Sequence, residues 1–331
     1  MNRKVSTGIR PIKSYFCLMS NEKPLLSIVI PVYNEEGNIE ALHTRLIQAM
    51  QDLSFEVIYV NDGSKDRSLA LLLQLSQADN RVKYIDFSRN FGHQMALSAG
   101  AQASRGEYTV FMDGDGQDPP ELIPELLQKA QEGYEVVYAQ RRTRAGETWL
   151  KRYTAKQFYR LLSRITQVDI PVDTGDFRII HEKVRKVLNQ MPEQHKYLRG
   201  QIAWIGFRQT ALEYDRQERM SGHTKFSYRR MLRFALDGIS GFSTWPLKVA
   251  TLSGFVVSGV AFMLILYSLY QKFFGSTEPG WTSLHISVLF LGGIQLLGIG
   301  ILGEYLGRVS DNVKQRPGYI VRDSNTQHED Q

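Results

Sequence analysis

The stretch LLSIVIPVYNEE, residues 25–36, opens with a continuous apolar run and ends in polar residues. Such a run, rich in β-branched residues, is typical of a parallel strand that is buried on both faces. A helical pattern follows from Glu36 to about Leu53. The stretch therefore predicts the first strand and helix of an α/β fold.

Four further apolar runs and three further helical stretches repeat this order along the chain. The runs are FEVIYV (55–60), VKYIDF (82–87), EYTVFM (107–112) and EVVYA (135–139). The helical stretches extend from Asp66 to about Ala78, near 91–104 and over 119–132. Strands that alternate with helices of this length predict a doubly wound, Rossmann-like, mostly parallel sheet.

Polar residues follow each of the first four predicted strands. They are PVYNEE (31–36), NDGSKD (61–66), SRNFG (88–92) and DGDGQD (113–118). Ligands of such sheets bind at the carboxyl ends of the strands. The four polar segments therefore predict one crevice.

The segment DGDGQDPP, residues 113–120, places Asp113, Asp115 and Asp118 within six residues. Carboxylates this close repel each other, so the segment is either a solvated acidic turn or a site for a cation. A calcium loop would need glycine at Asp118, and neither Cys nor His lies nearby for zinc. Asp-x-Asp at a strand end suits Mg²⁺ or Mn²⁺, which complete their coordination with water and phosphate oxygens. The other polar segments favour the cation.

The last third of the chain has a different composition. Residues 249–270 and 282–303 carry no Asp, Glu, Lys or Arg, and each is long enough to cross a bilayer as a helix. Basic residues flank the pair on the outer sides, whereas the connecting loop carries only Lys272. The positive-inside rule then predicts two transmembrane helices with both chain ends in the cytoplasm. The single cysteine, Cys17, excludes an intrachain disulfide and fits a reducing compartment.

The ordered motifs of the chain resemble those of a known family. PVYNEE, NDGSKD, RNFGHQMALSAG (89–100), DGDGQDPPEL (113–122) and DTGDFR (173–178) are similar to the motif set of inverting family-2 glycosyltransferases with the GT-A fold. Within that family the chain most resembles polyprenyl-phosphate glycosyltransferases, which include dolichol-phosphate mannose synthases and GtrB-type glucosyltransferases. The resemblance covers about 25–230, and RPGYIV (316–321) resembles the GtrB branch. Asn61 departs from the pattern, because many relatives have Asp there.

The resemblance implies a nucleotide-sugar donor, a divalent cation (Mg²⁺ or Mn²⁺) and a polyprenyl phosphate acceptor in the membrane. Asp176 is the candidate general base, with Asp173 as the alternative. The acceptor phosphate is largely dianionic at neutral pH, so this carboxylate is expected to matter more for orienting the nucleophile than for removing a proton. The nucleotide would contact Pro31, Tyr33, Glu35, Asp62 and Asp113, and the metal would bind Asp113, Asp115 and Gln117.

Several cations are candidates for phosphate binding. Arg219 and Lys225 lie in RQERMSGHTKF (216–226), where a flexible loop would close on the diphosphate. Arg141, Arg142 and Arg152 are candidates for the acceptor phosphate, because Arg matches phosphate oxygens bidentately. Basic amphipathic stretches at 145–166 and 226–242 could lie at a membrane interface, and packing on the sheet remains the alternative for the first.

These observations predict five segments. They are a disordered N-terminal tail (1–22), a cytoplasmic GT-A domain (23–225), an amphipathic juxtamembrane helix (226–244), two transmembrane helices with a short external loop (245–306) and a cytoplasmic C-terminal tail (307–331). The predicted reaction is metal-dependent, inverting transfer of glucose from UDP-glucose to polyprenyl phosphate at the cell membrane. GDP-mannose or a UDP-aminoarabinose derivative as donor and a non-catalytic sugar-nucleotide sensor remain alternatives. A polysaccharide synthase would need more spans and a Gln-x-x-Arg-Trp motif, which the sequence lacks.

GEYLG (303–307) favours a homo-oligomer, and no nucleic-acid partner is expected.

Overall fold

The computed structural model describes residues 23–142, 174–194, 196–214, 245–274 and 280–326, and within them eight strands form one sheet. In chain order the strands are β1 (Leu26–Val32), β2 (Phe55–Asn61), β3 (Val82–Phe87), β4 (Tyr108–Phe111), β5 (Val136–Arg141), β6 (Thr174–His181), β7 (Gln209–Tyr214) and β8 (Val321–Ser324). Across the sheet they run β7-β5-β6-β4-β1-β2-β3-β8. The mostly parallel α/β sheet is confirmed, and β6, β7 and β8 add to the five strands that the apolar runs predicted.

Strand direction brings many strand ends to one edge of the sheet. β1 is parallel to β2 and β4, β2 is parallel to β3, and β5 is parallel to β7. β6 is antiparallel to both β4 and β5. The carboxyl ends of β1 to β5 and β7 therefore share an edge with the amino end of β6. This edge, which includes Val32, Asn61, Phe111, Arg141 and Thr174, is the polar edge.

Six helices cover the two faces of the sheet. They are α1 (Ile39–Ala49), α2 (Ser68–Ala78), α3 (His93–Ala103), α4 (Ile123–Gln131, after a short 3₁₀ turn at Pro120–Leu122), α5 (Glu182–Gln190) and α6 (Leu198–Ile205). Side chains of α1, α2 and α4 pack with Ile28 and Ile30 in one buried cluster. Side chains of α3, α5 and α6 pack with Val29 in the other. This alternation along β1 follows from the two-residue period of a strand.

Two long helices follow the sheet domain. α7 (Trp245–Phe274) has 30 residues and α8 (Trp281–Lys314) has 34, and both contain the spans predicted from composition. Both present exposed apolar side chains, for example Phe255 and Leu296, which are 73% and 71% exposed. Among the described residues, one stretch, Phe290–Lys314, is long and apolar enough to cross a membrane. Two transmembrane helices are therefore not confirmed.

The chain returns from α8 to the sheet. β8 pairs antiparallel with β3, and the amide of Ser88 donates to the carbonyl of Ile320 at 2.9 Å. The Tyr319 ring stacks on Phe87 at 4.9 Å, and its hydroxyl donates to Gln102 Oε1 at 2.6 Å. Residues 307–331 were expected to form a tail, but helix α8 continues to Lys314 and 321–324 join the sheet. Because β8 is antiparallel to β3, the chain enters the sheet at the polar edge.

Several expectations concern parts of the chain outside the described residues. These are the N-terminal tail 1–22, the amphipathic stretches 145–166 and 226–242, and the candidate residues Arg152, Asp173, Arg219 and Lys225. Arg141 is described only as the last residue of β5.

Candidate active site

The loops that follow β1 and β2 are bonded to each other at the polar edge. The amide of Asn34 donates to Ser64 Oγ, and the amide of Glu35 donates to Ser68 Oγ, each at 3.0 Å. Asn34 has a positive φ of 55°, which turns the chain before α1 begins. Residues 36–38 form a turn, so α1 starts at Ile39 and not at Glu36, as the helical pattern predicted.

Three of the predicted nucleotide-binding residues lie on this bonded pair of loops or beside it. Pro31 is buried in β1, whereas the Tyr33 side chain is 42% exposed at the polar edge. Glu35 accepts a 2.6 Å hydrogen bond from Asn38 Nδ2, which fixes its carboxylate near the start of α1. Tyr33 is therefore available to a ligand, and Glu35 is held in place.

Asp62 is buried, with 3% exposure, and its carboxylate binds the loop that follows β3. It accepts hydrogen bonds from the amides of Phe91 (2.6 Å) and Gly92 (3.0 Å) and from Asn90 Nδ2 (2.9 Å). Burial raises the pKa of Asp62, and these hydrogen bonds oppose the rise. Gly63 has a φ of +67°, and a Cβ there would lie 2.5 Å from the Arg89 carbonyl carbon. Asp62 thus orders the 90–92 loop, a role that the sequence did not predict.

Asn61 departs from the family pattern, and its surroundings explain why. Its side chain is 1% exposed, and Nδ2 donates to Asp86 Oδ1 at 2.7 Å. Asp86 is 2% exposed, and Arg322 of β8 lies 3.6 Å from its other oxygen. A second carboxylate at position 61 would face Asp86 in a buried site without a donor between them.

We expect Asn61→Asp to lower the free energy of unfolding by about 2 kcal/mol at pH 7.5. The repulsion raises the pKa of the added carboxyl in the folded state, so the loss fades as the pH falls through that raised pKa. Thermal unfolding at pH 7.5 and pH 5 measures this difference. The double variant Asn61→Asp/Asp86→Asn, with one amide and one carboxylate, should recover most of the loss. Equal stability of Asn61→Asp and wild type at pH 7.5 would contradict the explanation.

The acidic loop after β4 has one buried carboxylate oxygen without a hydrogen-bond partner. Asp113 Oδ1 is buried and makes no hydrogen bond, and the nearest cation is His93, whose Nε2 lies 3.5 Å away. Burial raises the pKa of Asp113, and Asp176 and Asp115 add to the rise, whereas His93 opposes it. A Cβ on Gly114 would lie 2.8 Å from the Pro31 carbonyl oxygen, so the loop packs directly against the end of β1. An orphaned carboxylate oxygen of this kind is suited to bind a cation.

The other carboxylates of this loop have local partners. Asp115 Oδ1 accepts from the amide of Gln117 at 3.1 Å, and Gln117 is itself buried. In the described part of the chain, no group of three or more His, Cys, Asp or Glu side chains is arranged to hold a metal ion. A cation bound by Asp113 and Asp115 would therefore need further ligands from water or from a bound phosphate, as Mg²⁺ sites commonly do.

Asp176, at the amino end of β6, is the centre of a charged cluster. Arg199 Nε of α6 donates to Asp176 Oδ1 at 2.7 Å. Gln94 Nε2 donates to Oδ2 at 3.1 Å, and His93 Nε2 lies at the same distance from that oxygen. Gln94 Oε1 also accepts from the amide of Leu198 at 3.0 Å, which joins α3 to the start of α6. Two helices thus hold one carboxylate.

The protonation states of this cluster follow from these contacts. Burial alone would raise the pKa of Asp176, but Arg199 and His93 hold it well below its usual range. Burial would lower the pKa of His93, but Asp176 and Asp113 raise it to about 9. Asp176 is therefore ionised at neutral pH, and it is a weak proton acceptor but a strong anchor for cations.

The structure brings together most of the predicted site and adds three residues to it. His93 and Gln94 lie in the quoted motif RNFGHQMALSAG, but the sequence alone assigns them no role, and no pattern in the sequence indicates Arg199.

Arg142, a predicted ligand of the acceptor phosphate, lies at the polar edge just after β5, with Nε 3.5 Å from Glu213 and its side chain 58% exposed. It is therefore accessible at this edge.

The α/β sheet carries an Asp-x-Asp loop and a carboxylate-centred charged cluster at one edge, as expected for a glycosyltransferase, and comparison with known sequences identifies the class. The family model "Glycosyl transferase family 2" matches residues 27–188. The glycosyltransferase YkcC of Bacillus subtilis is 50% identical over 301 residues, which are 90% of this chain and 93% of that protein. The chain belongs to glycosyltransferase family 2, and its identity of 37–39% with bactoprenol glucosyl transferases of Shigella phages and Shigella flexneri places it in the GtrB-type branch.

A more distant sequence relative and a solved structure are also similar to this chain. A prophage bactoprenol glucosyl transferase homolog of Escherichia coli is 39% identical over 300 residues, which are 90% of this chain and 98% of that protein. The crystal structure of glucosyl-3-phosphoglycerate synthase from Mycobacterium tuberculosis with Mn²⁺, UDP and glucosyl-3-phosphoglycerate is 20% identical with a TM-score of 0.45. That match covers 66% of this chain and 78% of the other.

Proposed function

We propose that this protein transfers glucose from UDP-glucose to the phosphate of a membrane polyprenyl phosphate, with inversion at the anomeric carbon. The bond from that carbon to the diphosphate breaks, a bond to an acceptor phosphate oxygen forms, and UDP leaves. One observation carries the proposal: the Asp-x-Asp loop and the return of the chain from α8 both lie at the polar edge of the sheet. The E. coli and Shigella relatives named bactoprenol glucosyl transferases support the same reaction.

The proposed metal ligands are Asp113, Asp115 and Gln117, with Mg²⁺ or Mn²⁺ as the cation. The unpartnered Oδ1 of Asp113 supports this assignment. When bound, a divalent cation would stabilise the negative charge that develops on the departing diphosphate. Arg219 and Lys225 are proposed to add positive charge to the same group.

The proposed nucleotide site is the pair of bonded loops at the ends of β1 and β2. Tyr33 is exposed there, so its ring can contact the base, and Pro31 and Glu35 are proposed to contact the nucleotide beside it. Asp62 and Asp113 complete the proposed contacts with the nucleotide. Because Asp62 also orders the 90–92 loop, nucleotide binding and loop order would depend on the same carboxylate.

The proposed acceptor site surrounds Asp176. A polyprenyl phosphate has a second pKa of about 6, so its phosphate is a competent nucleophile at neutral pH without loss of a further proton. Asp176 is already paired with Arg199 and His93, and we assign it to orienting these cations toward the acceptor. Arg141, Arg142 and Arg152 are proposed to bind the acceptor phosphate.

The proposed topology places both α7 and α8 across the cell membrane, with the sheet domain and both chain ends in the cytoplasm. The exposed apolar side chains on both helices support this arrangement. Lys314, at the end of α8, is separated from β8 by residues 315–320, which can span at most about 20 Å. The polar edge would therefore lie near the membrane surface, where a polyprenyl phosphate presents its headgroup.

A comparison of donors tests the choice of sugar. The purified full-length protein would be incubated with undecaprenyl phosphate and one radiolabelled donor at a time: UDP-glucose, GDP-mannose or a UDP-aminoarabinose derivative. We expect the lipid to be labelled fastest from UDP-glucose. Faster labelling from another donor would correct the sugar and keep the reaction. Binding of a nucleotide sugar without transfer from any donor would instead favour a sensor.

A further inference from the structure

Asp118 belongs to the acidic loop, but its carboxylate points into the protein. The side chain is 1% exposed, and Oδ2 accepts from the amide of Asp113 at 3.2 Å. This bond closes the loop from its last acidic residue back to its first. Asp118 therefore constrains the backbone of the carboxylate that we assign to the metal.

The second oxygen of Asp118 joins this loop to the end of β7. Asp118 Oδ1 accepts from the hydroxyl of Tyr214 at 3.2 Å. Tyr214 is 6% exposed, and its ring packs edge-on against Phe177, with the ring centroids 6.0 Å apart. Phe177 directly follows Asp176, so the Tyr214 ring also supports the strand that carries the charged cluster.

Tyr214 lies where several parts of the proposed site converge. Its carbonyl accepts from the amide of Arg142 at 3.1 Å. It is also the last residue of β7, and the segment with Arg219 and Lys225 begins immediately after it. One tyrosine thus connects the acidic loop with the ends of β5 and β7.

We infer that Asp118 and Tyr214 are positioning residues that hold the metal-binding carboxylates in a fixed position against the end of β7. This inference rests on the proposed function, because it concerns the same metal and diphosphate site. A hydrogen bond to a carboxylate is stronger than one between neutral groups, so the Tyr214 hydroxyl contributes to the orientation of the loop. Neither residue is assigned as a ligand; each acts through Asp113.

The test is Tyr214→Phe in the full-length protein in detergent, because it removes the hydroxyl and keeps the ring against Phe177. Mn²⁺ binding in the presence of UDP would be measured by titration, beside UDP binding in EDTA and the unfolding temperature. We expect the dissociation constant for Mn²⁺ to rise about tenfold, with UDP binding in EDTA unchanged. Asp118→Asn should raise it at least as much if the variant folds.

The matched control is Tyr59→Phe, which removes another buried hydroxyl, 3.1 Å from His43 Nδ1 and on α1's face of the sheet. It should change Mn²⁺ binding less than twofold. If Tyr214→Phe binds Mn²⁺ as wild type does, or if Tyr59→Phe weakens binding equally, the inference is overturned. The readout does not require sugar transfer, so an inactive wild type that still binds Mn²⁺ and UDP would refute the proposed function alone. A wild type that binds no Mn²⁺ in the presence of UDP would overturn the inference together with the metal assignment, and the transfer assay would still decide the proposed function.

Discussion

Asp113→Asn is expected to reduce sugar transfer about 100- to 1000-fold while making the metal-free protein more stable. The loss of transfer follows from removing a carboxylate proposed to hold the cation that stabilises the leaving diphosphate. The gain in stability follows from the unpartnered, buried Oδ1 of Asp113. Burial raises the pKa of this carboxyl, so its ionised form destabilises the fold at neutral pH, and asparagine removes that cost.

Transfer rates and thermal unfolding in EDTA measure the two effects. We expect a rise of about 2–4 °C, which corresponds to roughly 1 kcal/mol for a domain of this size. Addition of Mn²⁺ to the UDP complex should raise the unfolding temperature of wild type further and leave that of the variant unchanged. The control is Glu121→Gln, which changes an exposed carboxylate paired with Arg45 at 2.8 Å, close to the same loop. Retained metal-dependent transfer by Asp113→Asn would refute the metal assignment.

Asp176→Asn is expected to reduce transfer by a factor of about 100 or more and to destabilise the protein. The ionised carboxylate accepts from Arg199 at 2.7 Å in a buried site, and its low pKa shows that its charge stabilises the folded state at neutral pH. Removing one partner of a buried ion pair leaves an uncompensated charge and costs about 3–5 kcal/mol. The same change in residue type therefore has opposite effects on stability at positions 113 and 176.

The control for position 176 is another buried, hydrogen-bonded carboxylate. Glu56 is 4% exposed at the amino end of β2, opposite the polar edge, and accepts from Ser27 Oγ at 2.6 Å. Glu56→Gln should lower the unfolding temperature without changing transfer per folded molecule. Asp176→Asn and Glu56→Gln are compared by their transfer rates, each corrected for the fraction of molecules that is folded. If both variants lose transfer only in proportion to folding, Asp176 has a structural role alone.

The parts of the fold that the sequence predicts are those with a local signal. β1 to β5 are apolar runs, and α1 to α4 have the helical period, so their type and order follow from periodicity. β6 contains two charged residues within TGDFRIIH, so its sequence indicates a motif more than a strand. In the structure Asp176 is bonded by α3 and α6, and Arg178 donates to the Gly175 carbonyl at 3.0 Å. β8 is four residues long and pairs with a strand more than 200 positions earlier, so its partner cannot be found from local pattern.

The residues of the candidate site also fall into those with a local sequence signal and those placed only by tertiary packing. The Asp-x-Asp loop and the polar strand ends are local in sequence, and strand direction alone brings them together. Arg199 lies in YLRGQIAW, where nothing distinguishes it from a surface arginine, and its role depends on how α6 packs beside β6. The link between Asp118 and Tyr214 joins residues 96 positions apart and depends equally on the assembled sheet.

The most direct test of the proposed function is transfer of radiolabelled glucose from UDP-glucose to undecaprenyl phosphate by the full-length protein in detergent. Parallel reactions would contain Mn²⁺, Mg²⁺ or EDTA, and the lipid would be extracted and counted. The expected result is label in the lipid that depends on the divalent cation and is nearly absent with Asp113→Asn. Undiminished transfer in EDTA would contradict the metal assignment, and an unlabelled lipid with every donor and cation would contradict the proposed function itself.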